Sequence, residues 1–277
     1  MPYFTSHDGA ELFYRRWGAG APIVLAHAWA LNSDAWQPQM IALSERGFSC
    51  IAFDRRGHGR SDDPGADYDL DSLADDLHAL VEHLDLADIT LVGHSIGAQE
   101  SVRYLTRHSG RRVARLVLIA PSLPYLLRTA DNPDGPNDPP TLEAWRDMWK
   151  THYVEWLAQA LPPNFASDVA PQRLEQAMRT MLQCTVQAAI GTNIASNQAD
   201  QRAELRRVAV PTLILQGDND ASCPLDVTGR KVEALICGSH LKIYPGGLHA
   251  IIASHAREVV DDISNFIAAR ALPLTAR

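Results

Sequence analysis

Serine is a useful nucleophile only where a nearby base can take its proton, so a serine held between glycines at the end of an apolar run is the feature to follow first. The run Ile89–Val92 leads directly into Gly93-His94-Ser95-Ile96-Gly97, and an amphipathic stretch from Ala98 to Thr106 follows. Strand, sharp turn and helix in that order hold a serine in a strained backbone geometry that only small flanking residues tolerate, and the hydroxyl projects above the sheet. The helix start behind it aims N–H groups and a positive dipole at the place where a tetrahedral oxyanion would form. Such a serine needs a carboxylate and a histidine later in the chain, in that order. Gly217-Asp218-Asn219-Asp220 follows the strand Thr212–Gln216, and Pro245-Gly246-Gly247-Leu248-His249 follows the strand Leu241–Tyr244. His249 is therefore the candidate general base, and the acid that orients it is one of the two aspartates. Two backbone N–H groups are the candidate oxyanion donors: Ile96, which follows the nucleophile, and Trp29, in the loop His27-Ala28-Trp29 after the strand Ile23–Ala26. His27 itself is expected to brace that loop by hydrogen bonds.

The elements that must position these groups read as alternating short apolar runs and longer amphipathic segments, the pattern of parallel strands joined by crossover helices. Six candidate strands are Ile23–His27, Cys50–Asp54, Ile89–Gly93, Leu116–Ala120, Thr212–Gly217 and Leu241–Tyr244, and Ala10–Trp17 alternates as an antiparallel edge strand. Leu70–Leu84 carries leucines at helical spacing, which puts Asp71, Asp75 and Asp76 on the outer face. The alternation breaks between Ser122 and about Val208, where a turn-rich stretch and expected helices replace strands. The chain is thus expected to have a core domain, 1–121 and 209–277, and a helical cap subdomain, 122–208. Within the cap, Trp145, Met148, Trp149, Tyr153, Trp156 and Leu157 recur at three- and four-residue steps and make one apolar face. That face either packs on the core or walls a substrate pocket. Trp29, His94, Trp145 and Trp149 are the candidate pocket residues.

Composition excludes other classes. A net charge of -8 with 46% hydrophobic and 21% charged residues is the balance of a globular protein and argues against a surface that neutralises phosphates, so no nucleic-acid partner is expected. The cluster Arg111, Arg112 and Arg115 reads as a solvated helix end. No apolar run approaches the roughly 20 residues that span a bilayer, and the start of the chain lacks a basic segment followed by an apolar one. The expectation is a cytoplasmic protein with no membrane partner. The cysteines at 50, 184, 223 and 237 lack the paired spacing of zinc sites and read as free buried thiols, so neither a metal nor a cofactor is expected.

Several motifs together resemble the cofactor-free haloperoxidase and perhydrolase branch of the α/β-hydrolases and its aryl esterase relatives. They are His27-Ala28-Trp29 with Trp36, Phe53-Asp54-Arg55-Arg56-Gly57-His58-Gly59-Arg60-Ser61, the turn around Ser95, Cys223-Pro224-Leu225-Asp226, and the region around His249 with the final helix. The resemblance implies an α/β-hydrolase fold with a mostly parallel eight-stranded sheet, flanking helices and a helical cap after the sixth strand. It also implies Asp220 as the acid, in keeping with Asp218 being the better placed of the two to form the turn. It matches least in the cap. Two departures, Ala28 for glycine and Ala98-Gln99 for a glycine pair, sit near the oxyanion site. The loop Arg55–Ser61 reads as a scaffold that holds its arginine against backbone carbonyls.

The leading expectation is hydrolysis of a small-molecule carboxylic ester or lactone through an acyl-enzyme on Ser95, with perhydrolysis implied as a side activity. The alternatives are a cofactor-independent oxygenase, using histidine and acid as base, and a slow-turnover small-molecule receptor. Association into a homo-oligomer is compatible with any of them.

Overall fold

Strands whose residues are apolar on both faces must be covered on both sides. The computed structural model describes residues 2–165 and 169–269 and builds one sheet from such strands. In chain order they are β1 (Tyr3–Thr5), β2 (Glu11–Trp17), β3 (Pro22–Ala26), β4 (Ser49–Phe53), β5 (Ile89–His94), β6 (Val113–Ile119), β7 (Thr212–Gly217) and β8 (His240–Tyr244). Their spatial order is β1-β2-β4-β3-β5-β6-β7-β8. β1 and β2 form the antiparallel edge, and β3 to β8 are parallel. The mostly parallel eight-stranded sheet expected from the resemblance is present. Only β1 has no counterpart among the strands read from the residues.

Helices α1 (Gln37–Glu45), α2 (Leu70–His83) and α3 (Ile96–Arg107) come from the first half of the chain. Between β6 and β7 lie α4 (Pro139–Ala160), α5 (Pro171–Met181), α6 (Val186–Gln198) and α7 (Arg202–Leu205), and after β7 come α8 (Gly229–Leu235), α9 (Ile251–Ser254) and α10 (Ala256–Ala268). Alternation along the strands feeds two cores. Ile23, Leu25, Ala52, Val92, Val117 and Leu215 pack with Met40 of α1 and with Val259 and Ile263 of α10. Val24, Ala26, Ile51, Leu91, Leu116 and Ile214 pack with Leu77 of α2, Val102 of α3 and Val232 of α8 on the other side. Each fully buried aliphatic side chain contributes about 1.5–3 kcal/mol, so the sheet is rigid where its strand ends carry the site.

The helices inserted between β6 and β7 gather a third apolar cluster, in which Trp149, Tyr153, Leu157, Ala188 and Ala189 pack with Ala30 and Tyr68 of core loops. Gln99 of α3 also ties this insert down. Its side chain exchanges hydrogen bonds with Ser196, at 2.8 Å to the carbonyl and 2.6 Å from the hydroxyl, and Gln201 donates to its backbone carbonyl at 3.0 Å. The departure at Gln99 therefore ties α3 to the inserted segment. Among the described residues no helix is long and apolar enough to cross a membrane.

Five expectations need correction. Asp76 is not on the outer face of α2 but wholly buried, where Arg56 donates to its two oxygens at 2.6 and 2.7 Å and Ser6 adds a third bond. A buried arginine supplied from another segment made that position habitable, which helical spacing alone cannot reveal. Arg55 does reach the His27 carbonyl at 2.8 Å, but its main partner is the buried carboxylate of Glu100, at 2.7 and 3.0 Å. Arg115 lies inside β6 rather than at a helix end, and Arg112 bonds Asp85 and Glu82 beside the end of α2. Met148 is exposed, off the aromatic face of α4, whose backbone departs from helical angles at His152. Cys237 is exposed, while Cys50, Cys184 and Cys223 are buried.

Candidate active site

Ser95 sits between β5 and α3 with φ 57° and ψ -118°, a left-handed backbone rarely tolerated outside glycine. The two flanking glycines answer to contact rather than to φ. A Cβ on Gly93 would lie 2.2 Å from the Gly97 carbonyl oxygen, and one on Gly97 would lie 2.4 Å from that of Ala26. The turn is therefore so tight that neither position admits a side chain. The Ser95 N–H donates to the Ile119 carbonyl at 2.9 Å, which fixes the turn to β6.

The loops after β7 and β8 bring the other two groups to Ser95. His249 Nε2 is 3.1 Å from Ser95 Oγ, and His249 Nδ1 is 2.8 Å from Asp220 Oδ2. The other oxygen of Asp220 accepts the N–H groups of Ser222 at 2.9 Å and Cys223 at 2.8 Å, so this buried carboxylate stays fully satisfied. Asp218 points elsewhere, exposed and accepting the Gly246 N–H at 2.6 Å. An ionised acid on Nδ1 makes that nitrogen the donor and leaves Nε2 as a basic lone pair facing the hydroxyl. Burial on its own would lower the basicity of His249, but the Asp220 carboxylate outweighs it and raises the imidazole well above its ordinary pKa.

The neighbouring histidines are of the opposite kind. Burial, reinforced by the proximity of His249, pushes His94 down to about 3, and its Nε2 donates to the His249 carbonyl at 3.1 Å. His94 is thus a neutral strut under the base. His27, also held well below its ordinary pKa by burial and by Arg55, donates from Nδ1 to the Ala28 carbonyl at 2.8 Å and accepts the Arg55 N–H at 3.0 Å. These bonds fasten the loop that carries Trp29.

Ser95 opens on a cavity of about 720 Å³. Trp29, His94, Trp145 and Trp149 all line it, as do Ile96 and His249. The Ile96 N–H is the first of α3 and so has no acceptor within its own helix. The Trp29 indole donates to the Ala189 carbonyl of α6 at 2.9 Å, and its ring lies 5.0 Å from that of Trp149 and 6.0 Å from that of Trp156. Trp149 is at once core and cavity wall, so the two readings of the aromatic face were not exclusive. Leu161 and Phe165 extend the wall beyond the residues anticipated.

Two polar residues close to the site are given no role in it by the sequence reading, although Cys223 stands in one of the motifs that carry the resemblance. Ser122 Oγ is 3.0 Å from Ser95 Oγ, and Cys223 Sγ is 3.5 Å from Ser122 Oγ. Ser122 reads from sequence only as the first residue of the insert. The available signal was its position just past the end of β6, the strand beside β5. Asp220, Cys223 and His249 each bring an atom able to bind a metal to within 4.8 Å of the others, but the carboxylate and imidazole are already engaged with one another.

A family model described as alpha/beta hydrolase fold matches residues 21–182. The chain is 36% identical over 274 residues to a non-heme haloperoxidase of Rhodococcus erythropolis, covering 96% of this chain and 99% of that one. It is 31% identical to a bifunctional esterase/perhydrolase of Acinetobacter calcoaceticus, with coverage of 96% and 99%. Among solved structures, a bromoperoxidase from Bacillus anthracis superposes with a TM-score of 0.92 at 30% identity, covering 97% of this chain and all of that one, 100%.

Proposed function

From the premise that this chain belongs to the α/β hydrolase fold family, we propose that it is a serine hydrolase which cleaves a small-molecule carboxylic ester or lactone through an acyl-enzyme on Ser95. The observation that carries the reading is the unbroken series Asp220, His249 and Ser95, linked at 2.8 and 3.1 Å at the wall of an apolar cavity. His249 takes the Ser95 proton as Oγ attacks the acyl carbonyl. The backbone N–H groups of Trp29 and Ile96 receive the oxyanion, and Asp220 stabilises the imidazolium. His249 returns the proton to the departing alkoxide. It then draws a proton from water, which attacks the acyl carbonyl and releases Ser95 with the carboxylic acid.

Perhydrolysis is a second reading of the same site, favoured by the haloperoxidase and esterase/perhydrolase relatives. Hydrogen peroxide replaces water in attacking the acyl-enzyme, Ser95 leaves with the proton from His249, and the product is a peracid. In solution the peracid reverts to its carboxylic acid as it oxidises halide to hypohalous acid.

A panel of p-nitrophenyl esters and lactones, assayed with water and with added peroxide, tests both readings. Wild type should hydrolyse short or medium acyl esters. Ser95→Ala should lose activity by roughly three or more orders of magnitude while remaining folded. Near-wild-type turnover by that variant would sink the proposal and would favour direct activation of water by His249 without an acyl-enzyme.

A further inference from the structure

We propose that Ser122 is a positioning residue for Ser95, donating its hydroxyl hydrogen to Ser95 Oγ and so committing the Ser95 proton to His249. The inference rests on the serine-hydrolase reading and adds a residue to it. A serine hydroxyl has one hydrogen and two lone pairs. In the neutral, reactive form of His249, with Nδ1 turned to the Asp220 carboxylate at 2.8 Å, Nε2 is an acceptor, and the Ser95 hydrogen goes to it across 3.1 Å. The remaining contact, 3.0 Å between Ser95 Oγ and Ser122 Oγ, then has only one permitted direction, from Ser122 to Ser95. Ser122 is itself fixed. It is buried, its backbone N–H donates to the Ser95 carbonyl at 3.3 Å, and its own lone pair faces the Cys223 thiol at 3.5 Å. The circuit closes on the acid, because the Cys223 N–H donates to Asp220 at 2.8 Å.

Two consequences follow from that direction. If Ser95 turned its hydrogen to Ser122, Ser122 would have to turn its own toward the Cys223 sulfur, a weak acceptor 3.5 Å away, so the rotamer that points at His249 is the favoured one before substrate arrives. As Oγ loses its proton its charge grows, and a bond donated to it strengthens. Once Oγ is an ester oxygen it is a poor acceptor and the bond weakens. The interaction is thus worth most where Oγ carries charge, which is the condition for raising kcat rather than lowering KM.

The test compares wild type, Ser122→Ala and Ser122→Thr by steady-state kinetics on one p-nitrophenyl ester and by the rate at which a serine-directed phosphonate labels Ser95. Ser122→Ala should lower kcat roughly tenfold to hundredfold with KM within about twofold, and should slow labelling by a similar factor. Ser122→Thr keeps the hydroxyl and should restore most of both rates. If alanine compromises folding, Ser122→Cys keeps the volume with a poorer donor and should show the same fall in kcat at unchanged KM. Wild-type labelling by Ser122→Ala, a loss expressed only in KM, or a folded threonine variant as slow as alanine would overturn the inference. A wild type that neither turns over esters nor takes the phosphonate would overturn the hydrolase reading instead, and the two failures are distinct.

Discussion

Asp218 and Asp220 stand two residues apart in one loop, yet one is exposed on a glycine N–H and the other is buried against the imidazole. The difference predicts opposite mutants. Asp220→Asn keeps the shape but gives up the charge that stabilises imidazolium, so kcat should fall by several orders of magnitude with little change in Tm. Asp218→Asn should leave a mostly active enzyme, and the reverse pattern in kcat would move the acid to Asp218. The same carboxylate sets a pH signature. Only neutral His249 can act as base, so kcat/KM for a neutral ester should rise with pH. Its inflection should lie above the roughly 6.5 of free imidazole, because Asp220 raises the folded value against the pull of burial. In Asp220→Asn that inflection should move down. A flat profile from about pH 5 to 8 would count against His249. The convergence of these groups is legible in sequence because each follows a strand end, whereas the places of Ser122 and Cys223 are not, since nothing in their spacing sets Ser122 against Ser95 or Cys223 against Ser122.

At the scale of elements, the helices inserted between β6 and β7 and the loop after β3 share one aromatic stack, with Trp29 from that loop wedged against α4 and hydrogen-bonded to α6. Trp145 and Trp149 therefore separate by depth. Trp149 is 1% exposed and packs on Trp29, so Trp149→Ala should cost about 3–5 kcal/mol of stability and slow all esters together by loosening the loop. Trp145 is only part buried, lining the cavity 5.7 Å from Trp156. Trp145→Ala should shift the preferred acyl length with a small change in Tm, and parallel losses on every ester would mean its role is packing alone. Hydrophobic spacing finds the aromatic face of α4 but cannot tell which of its residues are wall and which are core. It likewise misassigns Asp76, because a buried Arg56 supplied from another loop is invisible to periodicity.

Across the whole molecule, the parallel strands were the most legible part, since apolar runs covered on both faces have few other homes. β1 is three residues long and owes its pairing to β2, which no local pattern announces. The cavity belongs to the assembly rather than to any segment, for it lies between the strand ends and the inserted helices. The proposed chemistry converges on one atom, Ser95 Oγ. The most direct test is to mix the protein with a p-nitrophenyl ester in excess, quench in acid within the first turnovers, and locate added mass by peptide mass spectrometry. An acyl group on the peptide bearing Ser95, approaching one per chain when deacylation limits turnover, and absent both in Ser95→Ala and in wild type pretreated with the phosphonate, is the result expected. Sustained ester turnover with no adduct on Ser95, and with activity untouched by the phosphonate, would contradict the acyl-enzyme account.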